Sequence, residues 1–265
     1  MRFEFYPLRL EFTARESLFF PPGKAANTLR GALGTVLDAG IFSPVAFGKG
    51  PSGLADPPRP FVFRARHLDG RSIQPGEGFH FNLNVFSREP EVFINAFSDL
   101  AEQGIGPGRG KALLERVAGT DPVSIDLNPA AADIRNIRVE FLTPTELKHA
   151  GEVASEPEFA ILFARIRDRI STLSNLYGPG PLGIDFQEMG ARAAAIRMTR
   201  CETRRVDTRR HSSRTGQTHG IGGFTGFAEY EGDLDEFLPW LEAARWAGVG
   251  RQAVWGKGEI GLQRL

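Results

Sequence analysis

Gly104-Ile105-Gly106-Pro107-Gly108-Arg109-Gly110-Lys111 and Gly248-Val249-Gly250-Arg251-Gln252-Ala253-Val254-Trp255-Gly256-Lys257-Gly258 are two loops of glycines and cations, each set directly after a helical pattern and ahead of a short strand. Outward from the first, Arg2 to Ala14 alternates as a strand, Ala25 to Leu37 reads as a helix, Phe61 to Arg66 and Phe79 to Phe86 as hairpin arms, Pro90 to Gln103 as a helix and Ala112 to Val117 as a strand. Outward from the second, Ile134 to Leu142 is a strand and Glu158 to Leu176 a helix with Phe159, Leu162, Phe163, Ile166 and Ile170 on one face. Ile196 to Val206 and Gly220 to Tyr230 form a second hairpin, Leu234 to Ala247 a helix and Glu259 to Leu262 the last strand. The order βαββαβ thus occurs twice. One glycine-rich turn is weak evidence, whereas two at the equivalent place of a repeated unit share an architectural job. The fold class is α+β with tandem ferredoxin-like (RRM-like) βαββαβ domains, 1–128 and 129–265, the second carrying the longer glycine loop.

The closing loop reads in two ways. Glycine admits positive φ and close approach, so backbone amides can converge on an anion while Arg251 and Lys257 supply charge. Alternatively the glycines only turn the chain into its last strand.

A chain of 265 residues, 41% hydrophobic and 24% charged, has room for two packed domains and the composition of a globular protein. No apolar run approaches the roughly 20 residues that cross a bilayer. The N-terminus alternates around Arg2 and Glu4 as a strand rather than a signal peptide, so a cytoplasmic protein without membrane contact is expected. A single cysteine, Cys201, excludes an internal disulfide and a cysteine-based zinc site. The 32 basic and 32 acidic residues cancel, but from Arg200 to Arg214 six arginines face only Glu202 and Asp207. Phosphate backbones read local patches of this kind; a solvated arginine face paired with acids is the other reading. In a βαββαβ unit the second hairpin's tip, with Arg209, Arg210, His211, Arg214 and His219, lies at the same end as the closing glycine loop. No phosphate-loop NTPase motif follows any strand.

Gly-x-Gly-x5-Gly-x-Gly from Gly248 to Gly258 resembles the C-terminal glycine-rich signature of the repeat-associated RAMP proteins of CRISPR systems. Thr28-Leu29-Arg30-Gly31-Ala32-Leu33-Gly34, Pro57-Pro58-Arg59-Pro60-Phe61 and the segment Arg214 to Tyr230, with Gly222-Gly223-Phe224-Thr225-Gly226, resemble the branch that processes precursor CRISPR RNA. The resemblance spans nearly the whole chain and implies a metal-independent endoribonuclease without cofactor. In such enzymes the ribose 2′-OH attacks the adjacent phosphate, leaving a 2′,3′-cyclic phosphate and a 5′-OH. It implies a precursor CRISPR RNA repeat as partner, CRISPR effector-complex subunits beyond it, and a monomer or homodimer.

That chemistry needs a base, an acid and cations. Many family members carry a catalytic histidine in or just after the first helix, and residues 24 to 60 contain none. His211 and His219, flanking the basic hairpin tip, are the acid and base candidates, with Lys49 beside them. Lys24, Lys111 and Lys257 are further cations for the transition state. His67 falls near a first-domain hairpin tip, His80 reads as a strand residue and His149 as a loop residue. The expected RNA contacts are Arg30, Arg109, Lys111, Arg209, Arg210, Arg214, Gly248, Gly250, Arg251, Trp255, Gly256, Lys257 and Gly258, with Trp255 a stacking candidate and Trp240 and Trp246 core residues. The rival readings are a noncatalytic RNA-binding RAMP subunit of an effector complex, and a metabolite-binding duplicated ferredoxin-like protein.

Overall fold

The computed structural model describes residues 1–42, 57–129, 132–207, 209–211, 218–220 and 222–265, with backbone alone for 209–211 and 218–220. The first half contains β1 (Arg2–Ala14), β2 (Leu18–Phe19), α1 (Ala25–Leu33), α2 (Ala39–Phe42), β3 (Phe61–Arg64), β4 (Ser72–Ile73), β5 (Gly78–Val85), α3 (Pro90–Gln103), β6 (Ala112–Ala118) and β7 (Val123–Asp126). The second half opens with β8 (Asn136–Thr145), the small hairpin β9 (Lys148–His149) and β10 (Glu152–Val153), then α4 (Phe159–Tyr177) and α5 (Phe186–Ala193). It continues through β11 (Arg197–Val206), β12 (Arg209–His211), β13 (Thr218–Gly220) and β14 (Gly223–Glu231) to α6 (Leu238–Ala247) and β15 (Ile260–Arg264).

Strand order is β3-β5-β1-β6 in one sheet and β11-β14-β8-β15 in the other, antiparallel throughout. Each unit's first strand lies between its third and fourth, which is the ferredoxin-like arrangement, and two helices cover one face of each sheet. Phe93, Phe97 and Leu100 of α3 and Leu29 and Leu33 of α1 pack on Leu8, Leu10, Phe12, Phe63 and Phe81. Phe159, Leu162, Phe163, Ile166 and Ile170 of α4, the face read from the sequence, are all buried with Trp240 and Leu241 of α6.

Boundary departures have local causes. Helix α1 stops at Leu33 rather than Leu37 because the chain turns at Gly34, where a Cβ would sit 2.6 Å from Phe42 Cζ. Helix α6 begins at Leu238 rather than Leu234, with Pro239 in its first turn, where its missing N–H costs nothing. Residues 218–220 leave the second hairpin's inner strand for a separate two-stranded ribbon with β12. Trp240 is fully buried, but Trp246 is 37% exposed, correcting its assignment as a core residue. Sequence reading missed β7 and α5. Helix α5 carries a signal for its start in Asp185, whose carboxylate accepts from the Gln187 and Glu188 amides.

How the two units meet is set by β1. Its buried residues are Phe3 and Phe5, then Leu8, Leu10 and Phe12. Successive strand residues alternate faces, so the change from odd to even numbers moves burial from one face of the sheet to the other. The even residues lie under the first unit's own helices, whereas Phe3 and Phe5 join Val62 and Phe86 in the core of the second unit. The Trp246 ring lies 4.9 Å from that of Phe5. One strand therefore belongs to both cores. Phe5→Ala is expected to cost roughly 3–5 kcal/mol in denaturant unfolding, while Glu4→Ala on the exposed face stays within about 0.5 kcal/mol.

Candidate nucleic-acid interface at the domain junction

The closing glycine loop starts where α6 ends, on the outer face of the first sheet. There Arg64 Nη2 donates to the Arg245 and Trp246 carbonyls at 2.9 and 3.2 Å, and Asn84 Nδ2 donates to Trp246 O at 2.9 Å. From α4, Arg169 Nε donates to Ala247 O at 2.8 Å. Burial lowers the pKa of the Arg169 guanidinium to about 10, with the nearby Arg64 charge adding to the effect.

From this origin the loop folds onto its own domain and onto α1. Its amides are largely spent on protein: Val249 N donates to Gly258 O, Arg251 N to Glu146 O, Trp255 N to Gln252 O, Gly256 N to Ala253 O and Gly258 N to Pro144 O. The amides of 249, 251, 255, 256 and 258 therefore do not converge on an external anion. Glycine is required here for close approach. A Cβ on Gly258 would run into the Val249 carbonyl oxygen, one on Gly250 into Glu146 O, and one on Gly256 would lie 2.6 Å from Ala26 Cβ.

The first unit's loop does the same on the other side of α1. Lys111 O accepts the Arg15 and Glu16 amides, Lys111 N donates to Glu16 Oε2 at 3.1 Å, and a Cβ placed on Gly106 would lie 3.6 Å from Thr28 Cγ2. Glu16 and Glu146 thus hold equivalent turns, Glu146 also pairing with Arg251 at 2.7 Å. Helix α1 stands between the two glycine loops, its Ala26 against one and its Thr28 against the other.

This juxtaposition gathers many of the expected cations. Lys24, directly before α1, is exposed, as are Arg109 and Lys111 on the first glycine loop and Arg251 on the other. Arg30 lies with its guanidinium 5.4 Å from the Trp255 ring and 4.5 Å from that of Phe42, so the Trp255 face meets a cation of the other unit. Lys257 is only 6% exposed. Burial pushes its amine below the ordinary lysine range, opposed by Asp69, whose Oδ1 accepts the Ala25 amide at the start of α1 at 2.8 Å.

Other expectations fall differently. Arg200 pairs with Glu202, Arg197 with Glu231 at 2.5 Å and Arg138 with Glu229 at 2.5 Å, so the outer face of the second sheet is charge-balanced rather than basic. An open groove of about 580 Å³ crosses this face from Glu140, Thr203, Arg204 and Phe227 to Arg66 of the first unit. The Phe227 ring lies 4.3 Å from the Arg138 guanidinium and 5.2 Å from that of Arg200. His80 stacks on His67, rings 4.5 Å apart, a pairing the sequence did not reveal; burial, Arg9 and His67 push its pKa down. His149 lies exposed in the β9–β10 hairpin.

Lys49 and Arg214 lie outside the described residues, and Arg209, Arg210, His211 and His219 are described by backbone alone. In the β12–β13 ribbon, position 210 pairs with 219 and 211 with 218. Positions 211 and 219 therefore fall on opposite faces of the ribbon.

Residues 139–260, from β8 through the glycine loop, match the family model of the CRISPR-associated endoribonuclease Cas6, and residues 39–135 match a model described as an N-terminal domain. No curated protein sequence matches the chain. A Cas6 solved as a product complex superposes with a TM-score of 0.63 at 17% identity, over 98% of this chain and 99% of its own. A Thermus thermophilus Cas6 gives 0.57 at 16%, over 99% of each chain. A partial Cas6-RT-Cas1–Cas2 complex gives 0.62 at 10%, over 99% of this chain and 46% of the other. At these identities the structural matches carry the fold. Among the described residues no helix is long and apolar enough to cross a membrane.

Two substitutions separate close approach from loop composition. Gly258→Ala, which drives a Cβ into Val249 O, is expected to lower the unfolding midpoint clearly, whereas Gly108→Ala, with nothing within 4 Å, leaves it unchanged. Lys257 tests the electrostatics. Its folded pKa is depressed, so at neutral pH the unfolded chain binds its proton more tightly and the charge disfavours folding. Lys257→Met is expected to raise the unfolding midpoint at pH 7, with the gain shrinking as pH rises through the folded pKa towards the free-lysine range.

Proposed function

We propose that this chain, a CRISPR-associated RAMP protein whose residues 139–260 match the Cas6 family, cuts precursor CRISPR RNA within its repeat without a metal ion. The observation that carries this reading is the extent of the family match, which runs from β8 through the basic hairpin to the glycine loop now seen against α1. The solved Cas6 relatives include a product complex and a substrate-mimic complex, which supports a repeat RNA as the ligand here. We take 1–128 and 129–265 as the two domains, with RNA bridging them at the junction.

In this reading the 2′-oxygen attacks the adjacent phosphorus in line. The new bond is P–O2′ and the broken one P–O5′; a base takes the 2′-OH proton and an acid returns one to the 5′-oxygen, giving a 2′,3′-cyclic phosphate and a 5′-OH. Lys24 and Arg30 at α1, with Arg109, Lys111 and Arg251 on the two glycine loops flanking it, would offset the charge that grows on the phosphate oxygens. Acid and base are drawn from His211, His219 and Lys49. Because positions 211 and 219 fall on opposite ribbon faces, we assign one of the two histidines, not both, to the reaction.

A second reading, a noncatalytic RNA-holding subunit, is favoured by one specific observation: residues 24 to 60, which include α1, carry no histidine. A cleavage assay decides between them. Purified protein with a matching repeat RNA in EDTA is expected to yield a 5′-OH product and a cyclic phosphate, and no cut between pH 6 and 9 excludes the nuclease. His211→Ala and His219→Ala are expected to behave unequally, one lowering the rate about 10²- to 10⁴-fold with RNA binding retained and the other much less.

A further inference from the structure

The residues that fix the glycine loop to the first domain have no counterpart in the sequence signature. Arg64 and Asn84 lie on the outer face of the first sheet, and Arg64 bridges two successive carbonyls, those of Arg245 and Trp246, immediately before Gly248. Arg64 is wrapped by protein, which pushes its pKa down, with Glu259 opposing from a distance. Among the described residues neither Arg64 nor Arg169 pairs with a carboxylate within 4.0 Å, and Arg64 Nη1 and Arg169 Nη2 are buried without a partner. The charge of both is answered mainly by the negative end of α6. Nothing about this arrangement is cheap in stability, since two like charges are desolvated together. What it fixes is the relation between the loop and α1, because Arg64 follows Phe63, whose carbonyl oxygen lies 3.9 Å from a Cβ placed on Gly256.

We propose that Arg64 is a positioning residue for RNA cleavage: by clamping the last carbonyls of α6 it sets the glycine loop at working distance from α1. The proposal rests on the nuclease reading for its effect on rate, and on structure alone for its effect on the loop. Both bonds leave one nitrogen, Nη2, whose two N–H groups are fixed in the guanidinium plane, whereas a lysine ammonium keeps the charge but ends one bond nearer the backbone and has no such plane. Arg64→Lys therefore separates charge from geometry.

The test compares wild type, Arg64→Lys and Asn84→Ala in single-turnover cleavage of a repeat RNA, RNA affinity, thermal unfolding and hydrogen exchange. For Arg64→Lys the cleavage rate at saturating RNA is expected to fall on the order of 10- to 100-fold, with affinity changed less than about threefold and the protein still folded at the assay temperature. Amide exchange at Val249, Arg251 and Gly258 is expected to rise in the RNA-free protein. Asn84→Ala, which removes one of three bonds, moves each reading the same way by less. Unchanged exchange in the loop overturns the proposal whatever the activity, as does an unchanged rate in a wild type that cuts. A loss of rate matched by an equal loss of folded protein also overturns it. If wild type cuts nothing while exchange rises in Arg64→Lys, the nuclease reading fails and the positioning of the loop stands.

Discussion

Helix α6 ends in carbonyls that look out of its own domain, and buried donors from two other elements meet them: Arg64 and Asn84 from the first sheet, Arg169 from α4. With Phe3 and Phe5 of β1 in the second core, that meeting is what distinguishes this molecule from two loosely tethered ferredoxin-like units. The helix end cannot be left bare in a dry interface, because an unpartnered carbonyl there costs about as much as a lost hydrogen bond. Donors from the first domain supply what is missing, so the second domain completes its last helix only by docking. The glycine loop leaves from that point, and its course past Ala26 depends both on the docking and on the missing side chain of Gly256.

Glycine in that course serves packing more than ligand binding. The amides of 249, 251, 255, 256 and 258 go to carbonyls of Gly258, Glu146, Gln252, Ala253 and Pro144, so these five are not aimed at an external anion. Arg30 faces Trp255 across the junction, and Lys257 is held inside it. On β11, by contrast, Arg197, Arg200 and Arg205 are answered by Glu231, Glu202 and Asp207, while Arg204 donates to the Thr225 hydroxyl, so most of the arginines of this strand are matched by acids.

The duplicated fold was legible because its signals are local: alternation in β1, the single apolar face of α4, proline and glycine at the ends of α3, and two loops echoing each other. The docking of the units was legible in principle as well. Phe3 and Phe5 are odd while Leu8, Leu10 and Phe12 are even, and such a phase change in one strand means that both sheet faces are covered at different ends. Helix α5 was signalled by Asp185 with Glu188 three residues on. The burial of Lys257 and the stacking of His67 on His80 were not legible, since each depends on which loop the fold brings alongside and a polar residue among glycines reads as surface.

The double allegiance of β1 bears on the order in which the chain can become a protein. Phe3 and Phe5 are made 241 residues or more ahead of Trp246, whose ring packs on Phe5 within the same core. At roughly 5–20 residues per second that is an interval of about 10–50 s. During it a nascent first domain can close over Leu8, Leu10 and Phe12 but holds two phenylalanines uncovered on its opposite face. Strand β1 is thus sticky early in synthesis, and completion of α6 is the event that retires it.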